Sequence, residues 1–312
     1  MTGALRCLAR HGRWLLVGGL VAGIALPGFA RWMVGAIVPL IGLNLFLVAL
    51  RLGPRAALPP SGALRRVLSS VLALQLLLPL AAAAGLAAAG LLSHPVAYAV
   101  VLVLAAAPIT GAPGLAIMCG ADAGVTLRQT ALGTVLLPLT SVPVFVALPL
   151  FPDLTAVSGA ALRLLALIGG AFALAGLVRR LVPAVTRPDA GPAVDGLIAL
   201  VMGLMVIGLM SAVGPALRAL DPRLFATLAV GFALQLGLAA AGWAVARRRR
   251  PAGEAAGFAV VASNRNLAMF LAGLPPETAG AILLFVGCYQ IPMYLAPLTL
   301  PRLPGWPRGG PG

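Results

Sequence analysis

Apolar runs of roughly 18 or more residues recur from one end of this chain to the other, and they constrain the fold more than any other feature. As a helix, each run is long enough to cross a hydrocarbon layer of about 30 Å. The chain is 61% hydrophobic and 9% charged, whereas a soluble domain is about 25% charged. Because helices of this length satisfy their own backbone hydrogen bonds in lipid, the sequence predicts an all-α integral membrane protein.

We predict about ten transmembrane helices. The predicted spans cover residues 14–30, 33–50, 67–91, 96–120, 125–150, 160–178, 194–213, 224–246, 256–274 and 278–300. The first run, from Trp14 to Ala30, has an alternative interpretation as a secretory signal because three arginines precede it. We interpret it as a helix, since its removal would break the internal repeat described below. An even number of spans places both termini on one side of the membrane.

The 22 basic residues are all arginine and lie mostly between the apolar runs. With ten spans, 17 of them fall on the side of the N-terminus, four fall on the opposite side, and Arg265 lies inside a span. The 17 are Arg6, Arg10, Arg13, Arg51, Arg55, Arg65, Arg66, Arg128, Arg179, Arg180, Arg187, Arg247, Arg248, Arg249, Arg250, Arg302 and Arg308. Because short arginine-rich loops stay in the cytoplasm, we expect a multi-pass protein of the cell (inner) membrane with cytoplasmic N- and C-termini. The net charge of +15 is thus a topology signal and does not indicate nucleic-acid binding.

Short motifs recur along the chain at an offset of 160 or 161 residues. The pairs are Gly42-Leu43 with Gly203-Leu204, Gly53-Pro54 with Gly214-Pro215, and the Ala-Leu-Gln-Leu segments around Gln75 and Gln235. The repeat unit is therefore five helices, residues 1–156 and then 157–312. An odd number of spans makes the second copy enter the membrane from the opposite side. Inverted repeats of this kind are common in secondary transporters.

Span 4 contains residues that cannot continue a helix. Two prolines and two glycines lie between Pro108 and Gly114, so the helix has to open in mid-membrane. Interrupted helices at matching places in two repeats often form the binding site of a transporter. We therefore predict that Thr110 and Gly111 bind substrate. A proline kink that serves only helix packing is the alternative.

Span 9 contains four consecutive polar residues, Ser263, Asn264, Arg265 and Asn266. Such residues cost several kcal/mol in lipid unless they face a cavity or a partner. We predict that all four bind substrate, and the alternative is a buried network that locks the bundle.

Other polar residues have simpler explanations. Gln75 and Gln235 are candidates for hydrogen bonds between helices, which contribute about 0.6 to 2 kcal/mol in membranes. Asp122 is expected to cap the helix that follows it and to pair with Arg128.

Four motifs occur together in this chain. They are Pro39 through Gly42-Leu43, the segment from Gln75 to Pro79, the broken span 4 that ends in Cys119-Gly120-Ala121-Asp122, and the polar span 9. In this combination the chain resembles a divergent bacterial member of the bile acid:sodium symporter family, over nearly its whole length. The resemblance implies that helices 4 and 9 are both opened and cross at the midplane in a core domain, which moves against a panel domain of helices 1, 2, 6 and 7. The wider superfamily also includes arsenite and auxin carriers.

The resemblance implies sodium ligands at some of the family's positions but not at others. The matching residues are Gln75, Thr126 and Thr130, and Ser263 and Asn264 match the polar pair of helix 9. The positions that lack a side-chain oxygen are Ala112, Pro113 and, where the family has an acid, the region of Ala259. Without that carboxylate, sodium would be poorly neutralised. We hypothesise that Arg265 takes the electrostatic place of the cation and attracts an anionic substrate without sodium.

These observations predict a secondary transporter of a small organic anion that works by alternating access. Sodium is the candidate coupling ion, the missing carboxylate argues against it, and no other cofactor is expected. The expected partners are the anion and the lipid bilayer, with no nucleic acid and no obligate protein partner. Arsenite is disfavoured because the break from Pro108 to Gly114 has no cysteine.

Two other classes of function remain. A membrane enzyme needs paired acids or metal ligands at membrane depth, but the seven acids lie near span ends. The three cysteines and two histidines also lack metal-ligand spacing, so we expect neither enzyme activity nor a metal site. A membrane-embedded scaffold or sensor with a transporter fold is the second alternative.

Overall fold

A computed structural model describes residues 5, 7–9, 11–53, 61–187 and 189–307. Their regular secondary structure is helical, apart from one isolated β-bridge. Several residues used above lie outside the described part: Arg6, Arg10, Pro54, Arg55, Arg308 and the chain ends at 1–4 and 309–312.

We number the helices in chain order and give first those that precede residue 150. They are α1 (Gly12–Ala25), α2 (Pro27–Val34), α3 (Ile37–Leu52), α4 (Ser61–Leu72), α5 (Leu78–Ala88), α6 (Pro95–Ala105), α7 (Ala112–Met118) and α8 (Ala123–Ala147). The later ones are α9 (Leu154–Leu181), α10 (Gly191–Leu209), α11 (Val213–Arg218), α12 (Pro222–Ala246), α13 (Ala252–Ser263), α14 (Pro276–Tyr294) and α15 (Ala296–Thr299). A π-helical segment, Ala73–Leu77, joins α4 to α5, and a 3₁₀ segment, Leu267–Ala272, follows α13.

Every predicted span contains helix, but the helices differ in their ability to cross a membrane. Within the described residues, five are long and apolar enough to do so, namely Gly62–Ala88, Ala123–Ala147, Leu154–Leu181, Gly191–Leu209 and Pro222–Ala246. Counting each of two bent pairs as one span raises the number to seven. Three apolar helices are shorter: Ile37–Leu52, Pro95–Ala105 and Ala252–Ser263. The fold is thus all-α with five to seven candidate membrane-spanning helices.

The first predicted span, 14–30, is wrong as a continuous helix. Its helix ends at Ala25, and α2 starts at Pro27 with a bend of 107° between the two. Pro27 has no N–H to donate and its ring collides with the preceding turn, so a straight helix cannot pass through it.

Glycines bring the closest helix pairs together. At Gly19 of α1, an added Cβ would stand 2.4 Å from the carbonyl oxygen of Gly203 in α10. At Gly42 of α3, an added Cβ would stand 3.1 Å from Leu167 of α9. Helices α1, α3, α9 and α10 pack against one another through contacts of this kind, as small residues allow in membrane proteins.

Asp122 caps α8 as predicted, because its Oδ1 accepts the backbone N–H of Val125 at 2.9 Å. Its predicted ion pair with Arg128 is wrong. The two ion pairs within the described residues join Arg51 to Asp195 and Arg66 to Glu254. The Asp122 carboxylate instead accepts the hydrogen bond from the backbone N–H of Val125.

Candidate functional site

Two helix breaks meet in the interior of the protein. The first separates α6 from α7, and the second separates α13 from the 3₁₀ segment. Ile109 N–H donates to the Asn264 carbonyl at 2.9 Å, and Asn266 N–H donates to the Ala107 carbonyl at 2.8 Å. These bonds form an antiparallel bridge between Pro108 and Arg265. Both breaks lie at the predicted residues, and each supplies hydrogen-bond partners to the other.

The local sequence explains the first break. Pro108 cannot donate to a helical ladder, and a residue before proline is pushed towards extended backbone. Ala106, two residues before Pro108, is already extended, with φ −64° and ψ 150°. The chain returns to helix at Ala112, where Gly111 is the N-cap and Pro113 occupies the first turn, a position that proline favours.

Arg265 is buried at 2% exposure, and its guanidinium donates to backbone carbonyls. Nη2 donates to Leu104 at 2.8 Å and to Leu74 at 3.3 Å, while Nη1 donates to Val261 at 3.4 Å. The Leu104 carbonyl lies in the last turn of α6, where intrahelical donors run out. The Leu74 carbonyl lies in the π-helical segment, where the donor five residues on would be Pro79, which has no N–H. Arg265 therefore satisfies acceptors that the helix breaks leave without a donor.

The neighbours of Arg265 bond mostly to their own helix. Ser263 Oγ donates to the Ala259 carbonyl at 2.8 Å, and Asn264 Nδ2 donates to the Val260 carbonyl at 2.9 Å. The hydroxyl of Tyr289 in α14 donates to the Ser263 carbonyl at 2.6 Å. The end of α13 is thus tied to α14 as well as to the first break.

A cavity of about 280 Å³ lies beside α7, between α3, α8, α9 and α10. Most of its lining is apolar. The polar residues of the lining are Thr110, Thr130, Thr134, Arg51 and Asp195. Thr110 Oγ1 accepts a hydrogen bond from Asn44 Nδ2 at 3.0 Å. A small solute with an apolar body and a few polar groups matches this lining.

The two threonines of α8 in the cavity are buried, at 5% and 3% exposure. Neither Thr130 Oγ1 nor Thr134 Oγ1 has a hydrogen-bond partner among the described residues. Helical threonines usually bond back to a carbonyl of the preceding turn. Both hydroxyl oxygens are unpaired but covered, so an occupant of the cavity reaches them only when the side chains turn towards it.

The structure separates the predicted substrate residues into two places. Thr110 lines the cavity, and Gly111 begins α7 next to it. The four polar residues from Ser263 to Asn266, all within the described chain, do not line the cavity and form the buried crossover instead. Sequence reasoning missed the cavity positions of Arg51, Thr134 and Asp195, and the hydrogen bond from Asn44 to Thr110. Asn44 had a local signal, since it is an isolated polar residue in an apolar helix.

The residues matched to sodium ligands are partly bonded within the protein, but Gln75 Oε1, Thr130 Oγ1 and Asn264 Oδ1 are buried oxygens without a hydrogen-bond partner among the described residues. Thr126 Oγ1 donates to the Ala123 carbonyl at 2.8 Å within its own helix. Gln75 Nε2 donates to the Gly133 carbonyl at 3.2 Å, beside Pro108. Thr130 faces the cavity. The position where the family has an acid falls near Ala259, which offers no carboxylate to neutralise a sodium ion.

No protein-family model and no curated protein sequence matches this chain.

Proposed function

We propose that this protein is a secondary transporter of a small organic anion that works by alternating access in the cell (inner) membrane. The observation that carries the proposal is the pair of backbone hydrogen bonds between the breaks, Ile109 to Asn264 and Asn266 to Ala107. In lipid, two opened helices are no more stable than two continuous helices, whose backbone hydrogen bonds are all formed within the helix. Opened helices that meet beside a cavity are the arrangement that transporters use to bind solute.

Equivalent glycine contacts support ten spans arranged as two inverted repeats, 1–156 and 157–312. Gly42 of α3 faces α9, and its repeat mate Gly203 of α10 faces α1. Gly53 faces Arg179 of α9, and its mate Gly214 faces the Ile24 carbonyl of α1. In a five-helix repeat, α1 and α9 are themselves mates. The same pairing of helices therefore occurs twice, each time between one half and the other.

The glutamines extend the repeat. Gln75 and Gln235 are buried mates, and Gln129 and Gln290 are a second buried pair at an offset of 161. These matches support a kinship with the bile acid:sodium symporter family, in which a core domain moves against a panel of helices 1, 2, 6 and 7.

The position of the cavity suits such a movement. One wall consists of α3, α9 and α10, which pack together, and the opposite wall consists of α7 and α8. Rocking one wall against the other closes the cavity on one side of the membrane and opens it on the other.

The charge of the interior favours an anion. Arg265 bonds to carbonyl oxygens, and neither ion pair of the described residues includes it. Its positive charge is therefore not cancelled by a carboxylate contact. A buried positive charge close to a solute cavity attracts anions and repels cations.

The test is uptake of labelled propionate, hexanoate, benzoate and 4-hydroxybenzoate by purified protein in liposomes, with sodium and proton gradients imposed separately. We expect saturable uptake of at least one carboxylate that continues when potassium replaces sodium. No uptake of any carboxylate contradicts the transport proposal, and strictly sodium-dependent uptake contradicts the role of Arg265.

A backbone variant tests the crossover itself. Asn266→Pro removes the N–H that bonds Ala107, and the φ of −88° at this residue is about 20° beyond the value that proline prefers. We expect Asn266→Pro to abolish uptake and Asn266→Ala, which keeps the N–H, to retain most of it. Equal uptake by the two variants would show that the crossover bond is dispensable.

A further inference from the structure

Arg51 is held at the cavity by an acidic partner on another helix. It belongs to the last turn of α3, and its Nε donates to Oδ1 of Asp195 in α10 at 2.8 Å. Both residues line the cavity, and their side chains are 44% and 43% exposed. An added Cβ at Gly191, one turn before Asp195, would stand 3.1 Å from Arg51 Cζ. The guanidinium therefore lies directly on the first turn of α10.

Among the arginines that the structure describes, Arg51 is the one in the cavity lining. Arg265 uses its N–H groups on the carbonyls of Leu104, Leu74 and Val261. Arg179 donates to the Leu50 carbonyl, and it borders a neighbouring groove together with Arg180. A solute in the cavity thus meets the guanidinium of Arg51 before that of any other described arginine.

The chemistry of this pair suits a carboxylate. A guanidinium has five N–H donors, and the bond to Asp195 uses the one on Nε. The N–H groups on Nη1 and Nη2 can grip both oxygens of a carboxylate in a bidentate pair. Asp195 fixes the orientation of the Arg51 guanidinium and offsets part of its positive charge. The guanidinium can then select an anion at the rim of the cavity and still release it.

We propose that Arg51, positioned by Asp195, is the residue that selects negatively charged solutes, and that it binds the carboxylate of the transported anion at the rim of the cavity. The hydroxyl groups of Thr130 and Thr134 receive a polar group at the inner end of the same solute. This proposal rests on the proposed transport function and assigns the direct contact to Arg51, while Arg265 holds the crossover.

The first experiment needs no knowledge of the substrate. Val48 lines the cavity one turn before Arg51, and Val48→Cys in a Cys7→Ser background places a thiol there. The thiol is labelled with an anionic and with a cationic methanethiosulfonate, and the ratio of the two rates reports the local potential. We expect Arg51→Gln to lower the anionic-to-cationic ratio at least about five-fold and Asp195→Asn to raise it. The matched control Arg180→Gln leaves the ratio within about two-fold.

The second experiment is uptake of benzoate and its neutral isostere benzamide into liposomes. Wild type prefers benzoate. Arg51→Gln is expected to raise KM for benzoate about ten-fold or more with little change in kcat, and to erase the preference, while Arg51→Lys retains part of it.

The outcomes separate the two proposals. Absence of saturable carboxylate uptake by wild type overturns the transport function. Wild-type uptake together with an unchanged preference in Arg51→Gln, or an unchanged labelling ratio, overturns only the assignment of Arg51.

Discussion

Arg265 and Leu104 are joined by a hydrogen bond of 2.8 Å from the guanidinium Nη2 to the backbone carbonyl. The side chain of Arg265, at the second helix break, thus supplies a donor to the last turn of α6, the helix that precedes the first break. The same Nη2 reaches Leu74, so three separate segments depend on one guanidinium. The bonds explain how a charged residue is accommodated at 2% exposure.

Replacing Arg265 is therefore expected to destabilise the fold. Arg265→Ala leaves the carbonyls of Leu104 and Leu74 without donors in a buried site, and each such loss costs about 1 to 3 kcal/mol. We expect the free energy of unfolding to fall by at least about 2 kcal/mol, measured by circular dichroism during titration with sodium dodecyl sulfate. Arg248→Ala, at an exposed arginine, is the control and should change little. A similar loss in both variants would contradict the role of Arg265.

Gly133 lies against the crossover where a side chain has no room. An added Cβ would stand 2.8 Å from Gln75 Oε1 and 3.2 Å from Pro108 Cδ. We expect Gly133→Ala to lower the free energy of unfolding by about 1 to 3 kcal/mol and to reduce uptake. Gly169→Ala is the control, because its Cβ would meet nothing within 4 Å.

A double variant assigns the cause of this loss. Gln75→Ala removes the nearest obstacle, so the cost of Gly133→Ala should shrink in that background. If the two costs simply add, the contact with Gln75 is not what excludes a side chain at position 133.

The packing of α1 on α10 gives a third prediction from two adjacent glycines. At Gly19 an added Cβ would stand 2.4 Å from a backbone oxygen, whereas at Gly18 it would meet nothing within 4 Å. Gly19→Ala should lower the melting temperature in detergent clearly, and Gly18→Ala should leave it unchanged or slightly higher. The reverse order would mean that α1 does not pack in this way.

Cys7 provides a test of orientation without a new cysteine. It is exposed, whereas Cys119 and Cys288 are buried. Because the arginine distribution predicts a cytoplasmic N-terminus, a membrane-impermeant maleimide should label inside-out vesicles and spare right-side-out ones. Cys7→Ser should abolish the label, and labelling of right-side-out vesicles would reverse the predicted topology.

Local chemistry was sufficient to predict some elements of this fold. Pro108 predicted the break in span 4, since proline lacks a backbone donor, whereas the break at Ser263 was expected only from the family resemblance. Asp122 forecast the start of α8. Pro27 carried the same kind of signal, but the prediction followed the apolar run across it.

The cavity and the partners of Arg265 were not predictable in this way. The lining brings Arg51 of α3 next to Asp195 of α10 and opposite Thr134 of α8, and no local pattern links positions so distant in sequence. Arg265 bonds to backbone carbonyls, which every residue has, so its sequence gives no hint of which ones it satisfies.

The crossover also imposes a delay during biosynthesis, because its two partners are synthesised at different times. Leu104 and Arg265 are 161 residues apart in the chain. At about 5 to 20 residues per second, the ribosome needs roughly 10 to 30 s to deliver the second partner after the first. Throughout that interval the first break has open donors and acceptors that lipid tails cannot satisfy. A nascent chain that stops before residue 266 cannot form these bonds, so its first break keeps unpaired backbone groups.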